Sequence, residues 1–505
     1  MSAPLALLIC SIGIAGLFYL NRDNSVRTSK ALWLPVIWIW IAGSRPVSLW
    51  LSGGTASGGN LASTLDGSPM DAAIFQALIF VGVIALFQRK DRPITVLKVS
   101  SPVVIYFLYC LMSTAWSPIH LPAFKRWIKD VGDVVMVLLV LTDTRPIAAL
   151  QRLYSRVGFI LFPLSVVLIR YTSLGRDFTP DGAPENTGIT LNKNSLGLIV
   201  FVVSLGVLWN VRALILDKKA PNRNRRLVAE CTLLAFGILL LQMAHSATSI
   251  FCFSLGALLM LASGLRSIRR RPNRLHALCM GILLAGALMM LFGGESVVTS
   301  TLGRKSNLSG RTDIWKACLA AADSPVFGTG FESFWNVNVE RVATGLRGYW
   351  QIHNLVSAHD GYIEVYLDLG LVGVCLIASI LIGGYLRATE AFQRESELGR
   401  LFLPYVVTAA FYSITEAGFR VLTPAWIFLL LAVVGASGVA AGLIRGEKPK
   451  IPASRRDASI QTSTVYETVF ERESAYTARC GLNPSRSNPD FLSPKELGLI
   501  PASSF

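Results

Sequence analysis

Apolar residues fall along this chain in long unbroken runs separated by short polar segments. Thirteen such runs stand out, at about 3–20, 31–51, 71–87, 99–116, 131–142, 156–171, 194–214, 227–244, 249–265, 275–292, 362–386, 401–419 and 423–444. A run of about 17–25 apolar residues matches a bilayer core of roughly 30 Å. Only the fifth is clearly short. Lipid offers no partner to a bare N–H or C=O, so runs of this kind predict helices. Barrel strands would instead show brief alternating segments. The pattern therefore predicts an all-α polytopic membrane protein of about 13 transmembrane helices.

Composition agrees. Of 505 residues, 52% are hydrophobic and 15% charged, against roughly 25% charged in soluble chains. With a mean hydropathy of +0.51, this excludes a soluble enzyme, a disordered chain, a disulfide scaffold and a coiled coil. The net charge of +16 calls for no nucleic acid once its placement is considered. Segments 21–30, 88–98, 143–156, 212–226, 266–274 and 387–400 carry 24 of the 47 Lys and Arg residues. Two apolar runs separate each consecutive pair of these segments, so the positive-inside rule puts all six in the cytoplasm. The N-terminus is then expected outside and the C-terminus inside. The first run has no basic residue before it, unlike a signal peptide. Of the eight cysteines, six lie in apolar runs, Cys480 lies in the tail, and Cys318 alone is expected outside, so no disulfide framework is implied.

Three regions follow. Residues 1–70 hold the first two runs and a Gly/Ser-rich outer loop. Residues 71–445 form the membrane domain, with a large outer loop at 293–361. Residues 446–505 are polar, rich in Ser and Pro, and read as a disordered cytoplasmic tail. The chain has no G-x-x-x-x-G-K-[ST], no H-E-x-x-H and no Asp-x-Asp pair. No nucleotide, metal or other cofactor is expected, and chemistry should use an activated molecule already in the membrane.

Candidate chemistry gathers in the outer segments. In Ser309–Trp315, Ser309 fits an N-cap that would place Arg311 in a helix's first turn. Trp315, Leu319 and Ala322 would form that helix's apolar face. Arg311 could hold a phosphate or pyrophosphate, or else meet lipid headgroups or Asp313. His359, at the mouth of the next run, could take a proton from a sugar hydroxyl, or serve as a capping histidine. Asp360, Glu364 and Asp368 could orient it, or form a solvated face. Arg176 and Lys193 bracket a turn-rich loop, and Asn192–Ser195 would open the next span, with Asn194 beside Lys193. Arg126 and Lys129, in an outer KRWIKD turn, are secondary candidates. Glu230 is expected to be solvated near the cytoplasmic end, and Glu416 and Arg420, one helical turn apart, are expected to pair.

Three blocks in one order resemble the O-antigen ligase/polymerase superfamily, and within it the exopolysaccharide polymerases. They are the Arg176 loop with LeuAsnLysAsnSerLeuGly, the stretch Ser309–Phe331, and AlaHisAspGlyTyr…LeuGlyLeuValGly from Ala358 to Gly373. The resemblance covers roughly residues 70–445. It implies a GT-C-like lipid-dependent glycosyltransferase bundle in the inner membrane. Such an enzyme takes a glycan from an undecaprenyl-pyrophosphate donor and passes it to a glycan or lipid acceptor on the outer face, with inversion. Membrane lipids and export or assembly proteins are its implied partners. Arg311 would then bind pyrophosphate and His359 would activate the acceptor. Arg176 or Lys193 would supply a second cation, with Asn194, Asp360 and Arg126 in support. The family block often reads His-Asn-x-Tyr; Asp360 replaces the Asn here. A transporter of lipid-linked glycans is the alternative, but it would favour internal repeats and midplane polar groups.

Overall fold

A computed structural model of the chain describes residues 2–52, 68–178, 182, 184–265, 276–277, 279, 281, 308–346 and 356–445. The chain divides at residue 446 into two units. The second unit, the Gly/Ser-rich loop tip, the basic segment 266–274, most of the run at 275–292, and His353 lie outside the described residues.

Each described apolar run is helical. Helix α1 (Ala3–Leu20) is followed by a 3-10 turn at Lys30–Leu32, then α2 (Trp33–Ala42) and α3 (Val47–Leu51). The expected single span 31–51 is thus divided at Ser44-Arg45-Pro46. Helix α4 (Pro69–Phe87) begins with the Ser68 hydroxyl accepting from Asp71 N–H. Helices α5 (Arg92–Lys98) and α6 (Ser101–Ser113) meet at 90°. Helix α7 (His120–Leu141) corrects the expectation of a KRWIKD turn, because those residues form its first half. Mixed charge resembles a turn, yet the segment is helical and its helix carries buried carboxylates with partners: Asp130 and Asp133 accept from the indoles of Trp426 and Trp38, both at 2.7 Å.

Helix α8 (Pro146–Tyr171) leads to a two-stranded antiparallel hairpin, β1 (Arg176–Phe178) and β2 (Pro184–Asn186), with Arg176 opposite Asn186. Helices α9 (Lys193–Leu216), α10 (Arg223–Ala244) and α11 (Ala247–Ala262) complete the first half of the bundle. Then come α12 (Leu308–Ala320) and two short helices, α13 (Phe334–Val337) and α14 (Val339–Gly345). The last three are α15 (Gly361–Arg394), α16 (Ser396–Thr415) and α17 (Pro424–Ala440).

Among the described residues seven helices are long and apolar enough to cross a membrane, or eight if the bent pair α5–α6 is one span. The protein is therefore a multi-pass helical membrane protein. Helix α17 is apolar all round, and every residue of it is buried among α7, α9, α15 and α16. It has 17 residues, at the lower limit for a span, and protein rather than lipid covers it. Helices α1 and α4 are the opposite case, with most of their apolar surface outward.

Polar contacts sort to two ends. At one end lie four of the basic segments: Arg152 donates to Thr28 Oγ1 at 2.7 Å, Arg226 pairs with Asp23 at 3.0 Å, and Arg212 pairs with Glu397 at 2.8 Å. Glu230 is also there, but it is buried rather than solvated. Asn21, Ser155 and Asn210 donate to its carboxylate, which replaces the water it would lose.

Candidate functional site

At the opposite end, four segments distant in sequence meet on one carboxylate. Helix α16 stops at Thr415, and Glu416 leaves it in extended backbone. Its Oε1 accepts from Asn194 Nδ2 at 2.9 Å and from Arg311 Nη2 at 3.2 Å. Its Oε2 lies 3.3 Å from His359 Nδ1. The Arg311 guanidinium also donates to the Thr415 carbonyl. That carbonyl belongs to the last turn of α16, where the helix dipole favours a cation by about 0.3–1 kcal/mol. The expected pairing of Glu416 with Arg420 is therefore corrected. The helix ends before Glu416, so the two are not one turn apart, and Arg420 instead pairs with Glu332 at 3.1 Å.

Arg311 stands in the first described turn of α12. Ser309 lies inside that helix instead of capping it. The buried stripe is Ile314, Ala317, Cys318 and Ala321, offset from the expected one, while Leu319 is exposed. These side chains pack with Phe334, Trp335, Val342 and Leu367 into a core separate from that of the bundle. Trp315 ties the cap to the site loop by donating to the Ala358 carbonyl at 2.9 Å.

His359 sits in the left-handed region, with φ +53°. A non-glycine residue there costs about 1–3 kcal/mol and is concentrated at functional sites. Its backbone N–H donates to Ser357 Oγ at 3.0 Å. The ring is 43% exposed, whereas Glu416 behind it is 9% exposed. None of the three carboxylates expected to orient the ring makes a described hydrogen bond to it. Asp360 caps α15, accepting from Tyr362 N–H and Ile363 N–H at 2.9 Å. Burial pushes its carboxyl up to about 6, against those two hydrogen bonds. Glu364 accepts from Trp335 Nε1 at 2.7 Å and from Ala358 N–H at 2.6 Å. Asp368 accepts from Ser333 N–H and Phe334 N–H at 2.9 Å. The orienting carboxylate is Glu416, which proximity in sequence could not reveal.

The other candidates are placed as follows. Asn192 caps α9, accepting from Ser195 N–H at 2.8 Å, so the expected helix start holds and delivers Asn194 to Glu416. Lys193, beside it, is paired with Glu185 of β2 at 2.5 Å. Arg176 is exposed on β1. The hairpin loop is pinned by Arg45, a residue hidden inside an apolar run, which donates to the carbonyls of Leu174 and Thr190. Arg126 is buried and donates to the Glu332 carbonyl and to Asn336 Oδ1. Burial opposes the charge on Glu332, but the guanidiniums of Arg420 and Arg126 outweigh it and hold the carboxyl below its ordinary range.

A helical membrane bundle thus carries an arginine, a histidine and an asparagine on one shared carboxylate at the end opposite its basic loops. Residues 232–378 match the family model described as O-Antigen ligase. The chain is also 24% identical to the exopolysaccharide production protein ExoQ of Rhizobium meliloti (strain 1021) over 377 residues, which is 70% of this chain and 78% of that protein. Both matches support a likeness to the O-antigen ligase/polymerase-like superfamily. The matched segment contains Arg311 and His359 but neither Asn194 nor Glu416.

Proposed function

We propose that the protein transfers a glycan from an undecaprenyl-pyrophosphate-linked donor to a glycan or lipid acceptor. The reaction would take place on the outer face of the inner membrane, as in an exopolysaccharide or O-antigen polymerase or ligase. The observation that carries this reading is the meeting of Arg311 and His359 on Glu416. With Nδ1–H donated to Glu416, the Nε2 lone pair of His359 is the base. It takes the acceptor hydroxyl's proton while that oxygen bonds to the anomeric carbon. The bond to the pyrophosphate oxygen breaks, its electron pair leaves with the pyrophosphate, and attack from the opposite face inverts the anomeric centre. Negative charge grows on the leaving group, where the planar guanidinium of Arg311 can meet two oxygens at once. Arg176 and Lys193 are proposed as the cations of the approaching donor. Lys193 would have to exchange Glu185 for phosphate.

The test is purified protein in nanodiscs with a lipid-linked oligosaccharide. Chain growth or capping is expected, and Arg311→Ala should slow it about 10²–10³-fold, with Arg311→Lys recovering part. Movement of the glycan across the bilayer without transfer would instead make the protein a transporter, and full activity in Arg311→Ala would remove the arginine from the mechanism.

A further inference from the structure

At the basic-loop end, far along the fold from Glu416, the segment after α1 folds over the start of α2 and the first turns of α8. Between them lies an open cavity of ≈ 500 Å³. Five cations line it: Arg22, Arg27, Lys30, Arg152 and Arg156. A single carboxylate joins them, Asp23, and that group is already held by Arg226 at 3.0 Å. Arg152 and Arg156 stand one turn apart on the same helix, where like charges repel. Arg152 uses its donors on Thr28 and on the carbonyls of Asp23 and Val26, so it holds the cavity wall in place. Arg156 does not: its guanidinium stacks on the Trp33 ring at 4.4 Å and makes no hydrogen bond among the described residues. Its N–H groups therefore have no acceptor among the described residues. Arg27 and Lys30 likewise have no acceptor among the described residues.

A polar cavity with a strong cationic excess and a guanidinium that has no acceptor among the described residues fits a phosphate group. We propose that it is a binding site for the phosphate of an anionic membrane lipid. The lipid source is favoured by what surrounds the opening. Tyr19 and Trp33 are 64% and 42% exposed beside it, and α1 turns Leu8 and Ile12 outward along its length. Amphipathic aromatic rings bordering an apolar belt mark headgroup level. In the orientation expected from the basic loops, the site faces the cytoplasm, where anionic headgroups concentrate. It is independent of the transfer chemistry at Glu416.

Native mass spectrometry of the detergent-purified full chain tests the assignment, with phosphatidylglycerol and phosphatidylcholine as probes. Retention of phosphatidylglycerol is expected to exceed that of phosphatidylcholine at least tenfold. Arg27→Gln/Arg156→Gln should erase the difference. Arg225→Gln should not, because Arg225 lies at the same end but outside the cavity, over Tyr19. If the double variant does not fold, Lys30→Gln and Arg27→Gln are each expected to lower retention about threefold. Equal retention of both lipids, or no effect of any of these cavity substitutions, overturns the proposal. Displacement of the bound lipid by millimolar inorganic phosphate, with phosphate bound equally well in phosphatidylcholine nanodiscs, would assign the cavity to a soluble anion and overturn the lipid source.

Discussion

Because Glu416 holds Arg311 and His359 together, the two cannot be tuned separately. Under the proposed function, a pyrophosphate arriving at Arg311 would compete with a carboxylate already there. Glu416→Gln removes that competitor's charge while keeping its shape. The donor KM is expected to fall several-fold, and kcat to fall about 10–100-fold because the imidazolium formed during transfer loses its counter-ion. Steady-state kinetics separates the two effects, and a raised KM with unchanged kcat would show that Glu416 does not restrain Arg311. Asp360 offers a pH test. Its folded-state pKa of about 6 lies above the ordinary carboxylate value of 3.8. Its contribution to stability is therefore complete below that ordinary value and lost as pH rises through about 6. Asp360→Asn keeps the helix cap and carries no charge. Its thermal stability relative to the parent should thus improve between pH 4 and pH 7, and a pH-independent difference would remove burial as the cause. At this scale Arg311 and His359 were legible as charged or titratable groups beside apolar runs. Glu416 was visible as a costly intramembrane carboxylate, but spacing gave it the wrong partner, since only the helix stop at Thr415 decides which way it turns.

Helix α15 is interrupted at Gly370, whose φ of +64° and ψ of −163° are not helical. The interruption is filled by residues 325–330, which run alongside it. Leu371 N–H donates to Pro325 O at 2.9 Å, Thr329 N–H to Leu367 O at 3.0 Å, and Gly330 N–H to Asp368 O at 2.8 Å. Backbone groups freed inside a membrane protein need such partners. The Gly328–Thr329–Gly330 and Leu369–Gly370–Leu371 motifs are therefore two sides of one contact. A Cβ on Gly370 would lie 2.2 Å from the Val326 carbonyl oxygen. Gly370→Ala is expected to destabilise the protein by about 2–4 kcal/mol, read as a lower unfolding midpoint in detergent. An unchanged midpoint would mean that the contact is dispensable. The helices themselves were legible as apolar runs. The breaks at Arg45 and Gly370 were not, because each depends on a partner segment far away in sequence.

The two polar ends give the whole molecule its direction. Among the described residues, basic segments 21–30 and 143–156 meet through Arg152, 21–30 and 212–226 through Arg226, and 212–226 and 387–400 through Arg212, away from the candidate site at Glu416. With Cys231 and Cys375 replaced by Ser, a membrane-impermeant maleimide should label Asp177→Cys in intact spheroplasts and spare Lys218→Cys until the membrane is opened. The reverse order would invert the proposed topology. The number of crossings was less legible than the helices themselves, since α2, α11 and α17 are shorter than the seven long apolar helices among the described residues.

The two separate apolar cores leave one more mark on behaviour. Arg311 rides on the smaller one, whereas Asn194 and Glu416 belong to the larger, so the candidate site spans both cores, which α15 links through Val365, Leu367 and Leu369 and the polar contacts of Glu416 and Thr415 cross. If the proposed function holds, parting the smaller core from the larger would separate Arg311 from Glu416 with the long helices still formed, so helix content alone would not report an active preparation.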